Sequence, residues 1–93
     1  MPSSDLQITF STFVLSLATT AAVHFGDLAD PSGAKQPTDL TAASQMIEIL
    51  AMLQEKTRGN LSPEEKRLLD EVLYELRLRF IAAEKGENPK VEP

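Results

Sequence analysis

The residues best suited to chemistry in this chain are one histidine and two aspartates that follow it at three-residue steps. They are His24, Asp27 and Asp30, and no other histidine occurs. An imidazole with two carboxylates could bind a divalent metal ion or act as a general base. Gly26 is expected to end a helix between them, so the three side chains need not converge. A structural histidine at a helix C-terminus is the favoured interpretation.

A second candidate site lies where two cations, Lys56 and Arg58, precede the expected start of another helix. The free N–H groups of a helix start can hold an anion. Glu64 and Glu65 occupy the same helix start and would repel a phosphate. Capping of the two helices explains these residues without a ligand.

The composition narrows the possible functions further. The chain has no cysteine, which excludes disulfides, thiolate nucleophiles and cysteine metal sites. Its formal charge of −5 disfavours nucleic acid as a partner. It contains no Gly-rich phosphate loop, no Ser–His–Asp arrangement and no HExxH pattern. The sequence therefore predicts no catalytic residue and no cofactor.

Three helices must position these residues, and the sequence predicts them at about 10–25, 40–58 and 63–83. A chain of 93 residues makes one domain. We expect an all-α fold over residues 8–83, with a flexible arm at 1–7 and a disordered tail at 84–93. Because so short a chain is marginally stable alone, we expect oligomerisation to complete the fold. The connection over residues 26–39 could be a crossover or a functional segment.

The junction KTRGNLSPEEK has the most specific local pattern in the chain. Gly59 is placed to stop the second helix and Ser62 to cap the third. Pro63 suits the first helical position, and Glu65 completes a capping box with Ser62. A connection this short predicts that the second and third helices form an antiparallel hairpin.

The first helix is unusual because no charged residue lies between Asp5 and Asp27. Hydroxyl-bearing and other polar residues interrupt the segment, and no Lys or Arg precedes Lys35, so neither a membrane span nor a secretion signal is favoured. We therefore predict a cytoplasmic protein with a buried first helix. The polar side of that helix either contacts another helix or is an under-charged surface; it consists of Thr12, Ser16, Thr19 and Thr20.

Two apolar surfaces are candidates for an interface. The first surface lies on the first helix, where three apolar residues share one face at helical spacing: Phe10, Phe13 and Leu17.

The third helix carries a main apolar stripe and, nearly opposite, a second stripe. The second stripe is formed by Tyr74, Leu78 and Ile81. Either the first helix covers it or another chain does. Arg77 could form the rim of such an interface. Arg79 either belongs to the same rim or pairs with Glu75, four residues earlier, on a solvated face.

Two segments, FSTFVLSLAT and EKTRGNLSPEE, are too specific to be generic helix patterns. With the intervening sequence, they resemble the bacterial family catalogued as domain of unknown function 1844, over roughly residues 8–82. The resemblance implies a small helical bacterial protein. It supplies no catalytic residue.

We therefore predict a non-enzymatic helical interaction module that binds itself as a homodimer or larger assembly, or binds another protein. Two alternatives stay open at this point. One is a small metal-binding or catalytic protein centred on His24, and the other is a protein that associates with a membrane through its first helix.

Overall fold

The residues that the structure describes form three α-helices that pack against one another. The computed structural model describes residues 7–29, 32–33 and 37–86. Helix α1 spans Phe10–Phe25, α2 spans Leu40–Lys56 and α3 spans Pro63–Glu84, and the described residues contain no strand. The all-α prediction with three helices is confirmed. Completion of the fold by a second copy stays a prediction.

Each helix begins at a side-chain cap. Thr9 and Thr12 form a reciprocal capping box at the start of α1, with backbone-to-hydroxyl distances of 3.0 Å in both directions. The Asp39 carboxylate accepts the N–H of Ala42 at 3.0 Å to start α2. These bonds satisfy N–H groups that the first turn of a helix leaves without partners.

Helix α2 ends at Lys56, two residues before the predicted end at 58. Thr57 still donates its N–H to the carbonyl of Leu53 at 2.9 Å. The N–H of Arg58 instead reaches back only three residues, to Glu55 at 3.3 Å. The last turn therefore tightens, as helix ends often do, and the α-helix stops before the glycine.

The core divides into two clusters at opposite ends of the bundle. One cluster contains Val14 of α1, Leu50 of α2, and Leu69 and Leu73 of α3, all essentially inaccessible to solvent. The other contains Ala21, Phe25 and Ala43, against which Phe80 of α3 packs. The second cluster joins the end of α1 to the start of α2 and the end of α3. Helix α2 is therefore antiparallel to both neighbours, as predicted for the α2–α3 hairpin.

The connection after α1 is not a crossover. Asp39 donates its backbone N–H to the carbonyl of His24 at 2.7 Å, and the Thr38 hydroxyl donates to the carbonyl of Phe25 at 3.3 Å. The end of α1 and the start of α2 are thus in direct contact. Residues 38–39 therefore lie beside residues 24–25, and the connection begins and ends at the same end of the bundle.

The predicted arm over residues 1–7 and the predicted tail over residues 84–93 lie mostly outside the described residues, although Glu84 still belongs to α3. Within the described part of the chain, no helix is both long enough and apolar enough to cross a membrane.

Candidate interaction surface

The histidine and aspartates that could have formed a metal site do not form one among the described residues. His24 is half-buried in the last turn of α1, and Asp27 follows the end of the helix. Asp30 lies outside the described residues. No group of three His, Cys, Asp or Glu side chains placed to hold a metal occurs in the part of the chain that the structure describes.

Asp27 instead binds an arginine 52 residues away on α3. Nε and Nη2 of Arg79 donate to the two carboxylate oxygens of Asp27 at 2.8 and 2.9 Å. Nη2 also lies 3.5 Å from the carbonyl oxygen of Phe25, and the guanidinium lies 5.0 Å from the centre of the Phe25 ring. This contact attaches the C-terminal end of α1 to α3 through charge, hydrogen bonds and an aromatic face.

The Arg79–Asp27 pair is largely shielded from water, since the two side chains are only 16% and 27% exposed. The hydrogen bonds to Asp27 raise the pKa of Arg79, so the guanidinium stays charged at any ordinary pH. Nη1 of Arg79 is buried and has no hydrogen-bond partner among the described residues. That orphaned donor offsets part of the stabilisation that the pair provides.

The predicted pairing of Arg79 with Glu75 is therefore wrong. Both residues belong to α3, and spacing along a helix favours such pairs only weakly, by a few tenths of a kcal/mol. Asp27 offers two oxygens to the planar guanidinium in a less hydrated place, which makes the longer-range pair stronger. A single sequence contains no pattern from which a contact between residues 27 and 79 could be predicted.

At the α2–α3 junction, the residues take the predicted positions. Ser62 and Glu65 form a capping box with distances of 3.1 and 2.8 Å, and Pro63 is the first residue of α3. Gly59 has a φ of 82°, a conformation that favours glycine.

An open cavity of about 410 Å³ lies beside the junction. On its wall, Asp70 accepts hydrogen bonds from Lys66 at 2.9 Å and from Gln54 at 2.8 Å. These bonds, chiefly the one from Lys66, lower the pKa of Asp70. Lys66 is thus paired, and the other cation on the wall, Arg58, is paired with Glu55. Among the described residues that line the cavity, no cation is left unpaired to favour an anion.

The structure separates the interface candidates of α1 into two groups. Phe10 and Leu17 pack against the core cluster around Val14 and so contribute to the fold itself. Phe13 is 46% exposed, and Leu15, which was not among the candidates, is exposed to a similar extent.

The hydroxyls on the exposed side of α1 bond to their own helix. Ser16 donates to the carbonyl of Phe13, Thr19 to that of Leu15 and Thr20 to that of Ser16, at 2.7 to 3.1 Å. Their donors need no outside partner, and the two interpretations of this side, helix contact and under-charged surface, both remain.

On α3, the second apolar stripe is not covered by α1. Tyr74, Leu78 and Ile81 are 62%, 46% and 47% exposed. The alternative in which the first helix wraps over this stripe is therefore wrong. We use "α3 stripe" for these three residues.

The α3 stripe adjoins a shallow groove between α2 and α3, with a volume of about 300 Å³. Ile47 of α2 and Phe80 and Ile81 of α3 make the groove mainly apolar. Glu48 stands on the α2 wall and Arg77 on the α3 wall, so each wall has one charge and the two signs differ. We call this the α2–α3 groove. Sequence reasoning missed its α2 wall, because which residues of α2 lie beside α3 depends on how the helices pack.

The α3 stripe and the α2–α3 groove can bind another protein surface by burying apolar area. The α3 stripe spans seven residue steps, about 10 Å of helix, and is too small for a stable interface by itself. A standard interface buries about 800 Å² on each partner. The groove beside the stripe supplies additional apolar wall and a charged rim, which is the usual anatomy of a protein interface.

The fold and this surface together define a small three-helix protein with an exposed apolar stripe and groove and no cluster of metal ligands in its described part. The sequence of the chain shows which protein family it belongs to. The chain belongs to the family described as Domain of unknown function (DUF1844), whose match covers residues 7–82. This confirms the resemblance noted from the sequence. No curated protein and no solved structure matches the chain.

Proposed function

We propose that this chain is a non-enzymatic, cytoplasmic interaction module that self-associates, with a second copy covering the α3 stripe and the α2–α3 groove. The observation that carries the proposal is the exposure of Tyr74, Leu78 and Ile81 in one line on a helix whose other apolar stripe already fills the core. Contiguous exposed apolar surface of this kind typically marks an interaction site.

Three further features of the surface favour protein binding. The centre of the stripe is aromatic and aliphatic, and its largest member is a tyrosine, a residue enriched at interfaces. The groove provides a concave place for an apolar side chain from the partner. Its two charges lie at the rim, where they set orientation without the cost of burying an unpaired charge.

The charge pattern of the groove, and not the net charge of the protein, favours a second copy as the occupant. Two chains of formal charge −5 repel each other on average, so they can associate only through a surface that is apolar or carries both signs. The α3 stripe is apolar, and the groove carries one positive and one negative residue, Arg77 and Glu48. Such a surface is complementary to itself, as the interface of a twofold dimer must be.

Sedimentation equilibrium of the untagged full chain over a wide concentration range tests this proposal. We expect a mass near twice the 10.2 kDa of one chain, and a return toward 10.2 kDa on dilution. A wild-type protein that stays monomeric at the highest concentrations would overturn the proposal.

Leu78→Glu places a charge in the centre of the stripe, and we expect it to weaken self-association by at least a hundredfold, because a carboxylate would have to be desolvated in an apolar contact. Leu28→Glu is the matched control. Leu28 has the same side chain and the same 46% exposure, but it follows α1 and belongs neither to the α3 stripe nor to the lining of the α2–α3 groove. If both variants weaken association equally, the α3 stripe is not the interface.

A further inference from the structure

We infer that the two copies are related by a twofold axis running along the α2–α3 groove, so that α3 of one copy is parallel to α3 of the other and Arg77 of each copy meets Glu48 of its mate. This inference rests on the self-association proposed above. It specifies the partner orientation and the two residues that set it.

Glu48 and Arg77 are exposed and stand on opposite walls of one groove. Among the described residues, neither takes part in an ion pair, whereas Arg58, Lys66 and Arg79 each do. The groove therefore presents one unneutralised charge of each sign to whatever lies on it.

A twofold axis that lies in the interface and runs along the groove exchanges the two walls, so that α3 of one copy faces α2 of the other. Arg77 then faces Glu48 of the second copy, and the same contact occurs twice.

An axis that crosses the groove at right angles has the opposite result. It places each wall against the same wall of the other copy and makes the two α3 helices antiparallel. Arg77 then approaches Arg77, and Glu48 approaches Glu48. Like charges brought together at an interface oppose association and exclude the wrong arrangement. The charges of the groove thus select the axis that runs along it.

Charge reversal tests the contact. We expect Arg77→Glu and Glu48→Arg each to raise the dimer dissociation constant about tenfold, because each creates two like-charge contacts. The double variant Arg77→Glu with Glu48→Arg restores opposite charges at both contacts and should return to within about threefold of the wild type.

The matched control is Arg67→Glu. It makes the same change in net charge as Arg77→Glu, from an exposed position on α3 that does not line the groove. A smaller effect than that of Arg77→Glu is expected. If the double variant is as weak as the two single variants combined, the Arg77–Glu48 contact does not form.

A distance measurement tests the orientation independently. The chain has no cysteine, so Glu64→Cys places a single spin label near the start of α3. Residue 64 lies 13 residues before residue 77, about 20 Å along the helix. An axis along the groove keeps the two labels within the width of the paired helices, about 20–25 Å. An axis across the groove separates them by about 40 Å or more.

The outcomes separate the two proposals. A wild-type monomer would overturn the self-association itself. A dimer that Leu78→Glu dissociates, but whose labels lie about 40 Å apart and whose charge reversals show no rescue, would keep self-association through the stripe and overturn only the orientation inferred from the groove.

Discussion

The two connections of this bundle are stabilised by different kinds of contact. At the α2–α3 junction, Ser62, Pro63 and Glu65 bond or pack within four residues of one another, so the turn is specified locally. At the α1–α2 connection, Asp27 is attached to Arg79, 52 residues later. The first connection can form as soon as its own residues meet, whereas the Asp27 contact of the second requires α3 to be in place.

The difference matters for how mutations are expected to act. Local capping contributes about 1 kcal/mol for each capping residue and is exposed to water. The Arg79–Asp27 pair is mostly buried, so removing one partner leaves a charge that has lost both its water and its counter-ion. Although the α1–α2 connection is the longer of the two, its polar contact is therefore the more costly to break.

Asp27→Ala has the largest expected effect at either connection. We expect it to lower the free energy of unfolding by about 2–3 kcal/mol, because Arg79 would keep its charge at a site where only 16% of the side chain is exposed. Urea unfolding followed by circular dichroism, at one fixed protein concentration, measures the change.

The control for Asp27→Ala is Glu55→Ala, which removes the partner of Arg58 beside the α2–α3 junction. Both side chains of that pair are about two-thirds exposed or more, at 66% and 72%. We expect a loss below about 0.5 kcal/mol, as for other exposed pairs. Equal losses in the two variants would show that the Arg79–Asp27 pair contributes no more than a surface ion pair.

Glycine substitutions at the two connections are expected to differ by a smaller amount. Gly26 and Gly59 end or follow α1 and α2 with φ values of 85° and 82°, so alanine is strained at both. A Cβ on Gly26 would also lie 2.9 Å from the Thr38 hydroxyl oxygen, whereas a Cβ on Gly59 would meet nothing within 4 Å.

We expect Gly26→Ala to cost about 2 kcal/mol and Gly59→Ala about 1 kcal/mol, measured by the same urea unfolding. The extra loss at Gly26 arises because Thr38 must move and give up its hydrogen bond to the carbonyl of Phe25. Combining Gly26→Ala with Thr38→Ala should therefore cost less than the sum of the two single changes. Strict additivity would mean that the hydroxyl is not what opposes the added carbon.

The two connections also show how much of this fold can be predicted from sequence and why. The capping box at Ser62 and Glu65 was predictable because its residues are three apart and their chemistry is local. The α3 stripe was predictable because helical spacing alone places Tyr74, Leu78 and Ile81 on one side. That α1 leaves the stripe exposed was not predictable, since it depends on which sides of three helices face each other.

Contacts between distant residues were beyond sequence reasoning for the same reason. Arg79 had an apparent partner in Glu75, and the stronger one, Asp27, is separated from it by the whole of α2. The α2 wall of the groove was missed because Glu48 is simply an outward-facing residue until α3 is placed beside it. The helices could be predicted from local sequence patterns. The candidate interaction surface could not, because it depends on how the helices pack.

The smallest expected effect concerns Asp70, beside the α2–α3 junction, and acid titration measures it. The folded state lowers the pKa of Asp70 below its ordinary value of 3.8, first through the hydrogen bond from Lys66 and then through that from Gln54. A carboxyl whose pKa falls on folding stabilises the protein above its unfolded pKa and loses that contribution as the pH falls through the folded pKa. The contribution of Asp70 is thus complete above about pH 5 and is lost as the pH falls from 3.8 through the lower pKa of the folded state.

Asp70→Asn should remove this contribution. We expect it to lower the free energy of unfolding at pH 7 by less than about 0.5 kcal/mol, because the Asp70 side chain is 42% exposed and water screens the pair. The difference between wild type and variant, followed by urea unfolding from pH 7 to pH 2.5, should shrink as the acid protonates Asp70. If the difference in the free energy of unfolding stays constant over this range, the charge of Asp70 is not what stabilises the protein.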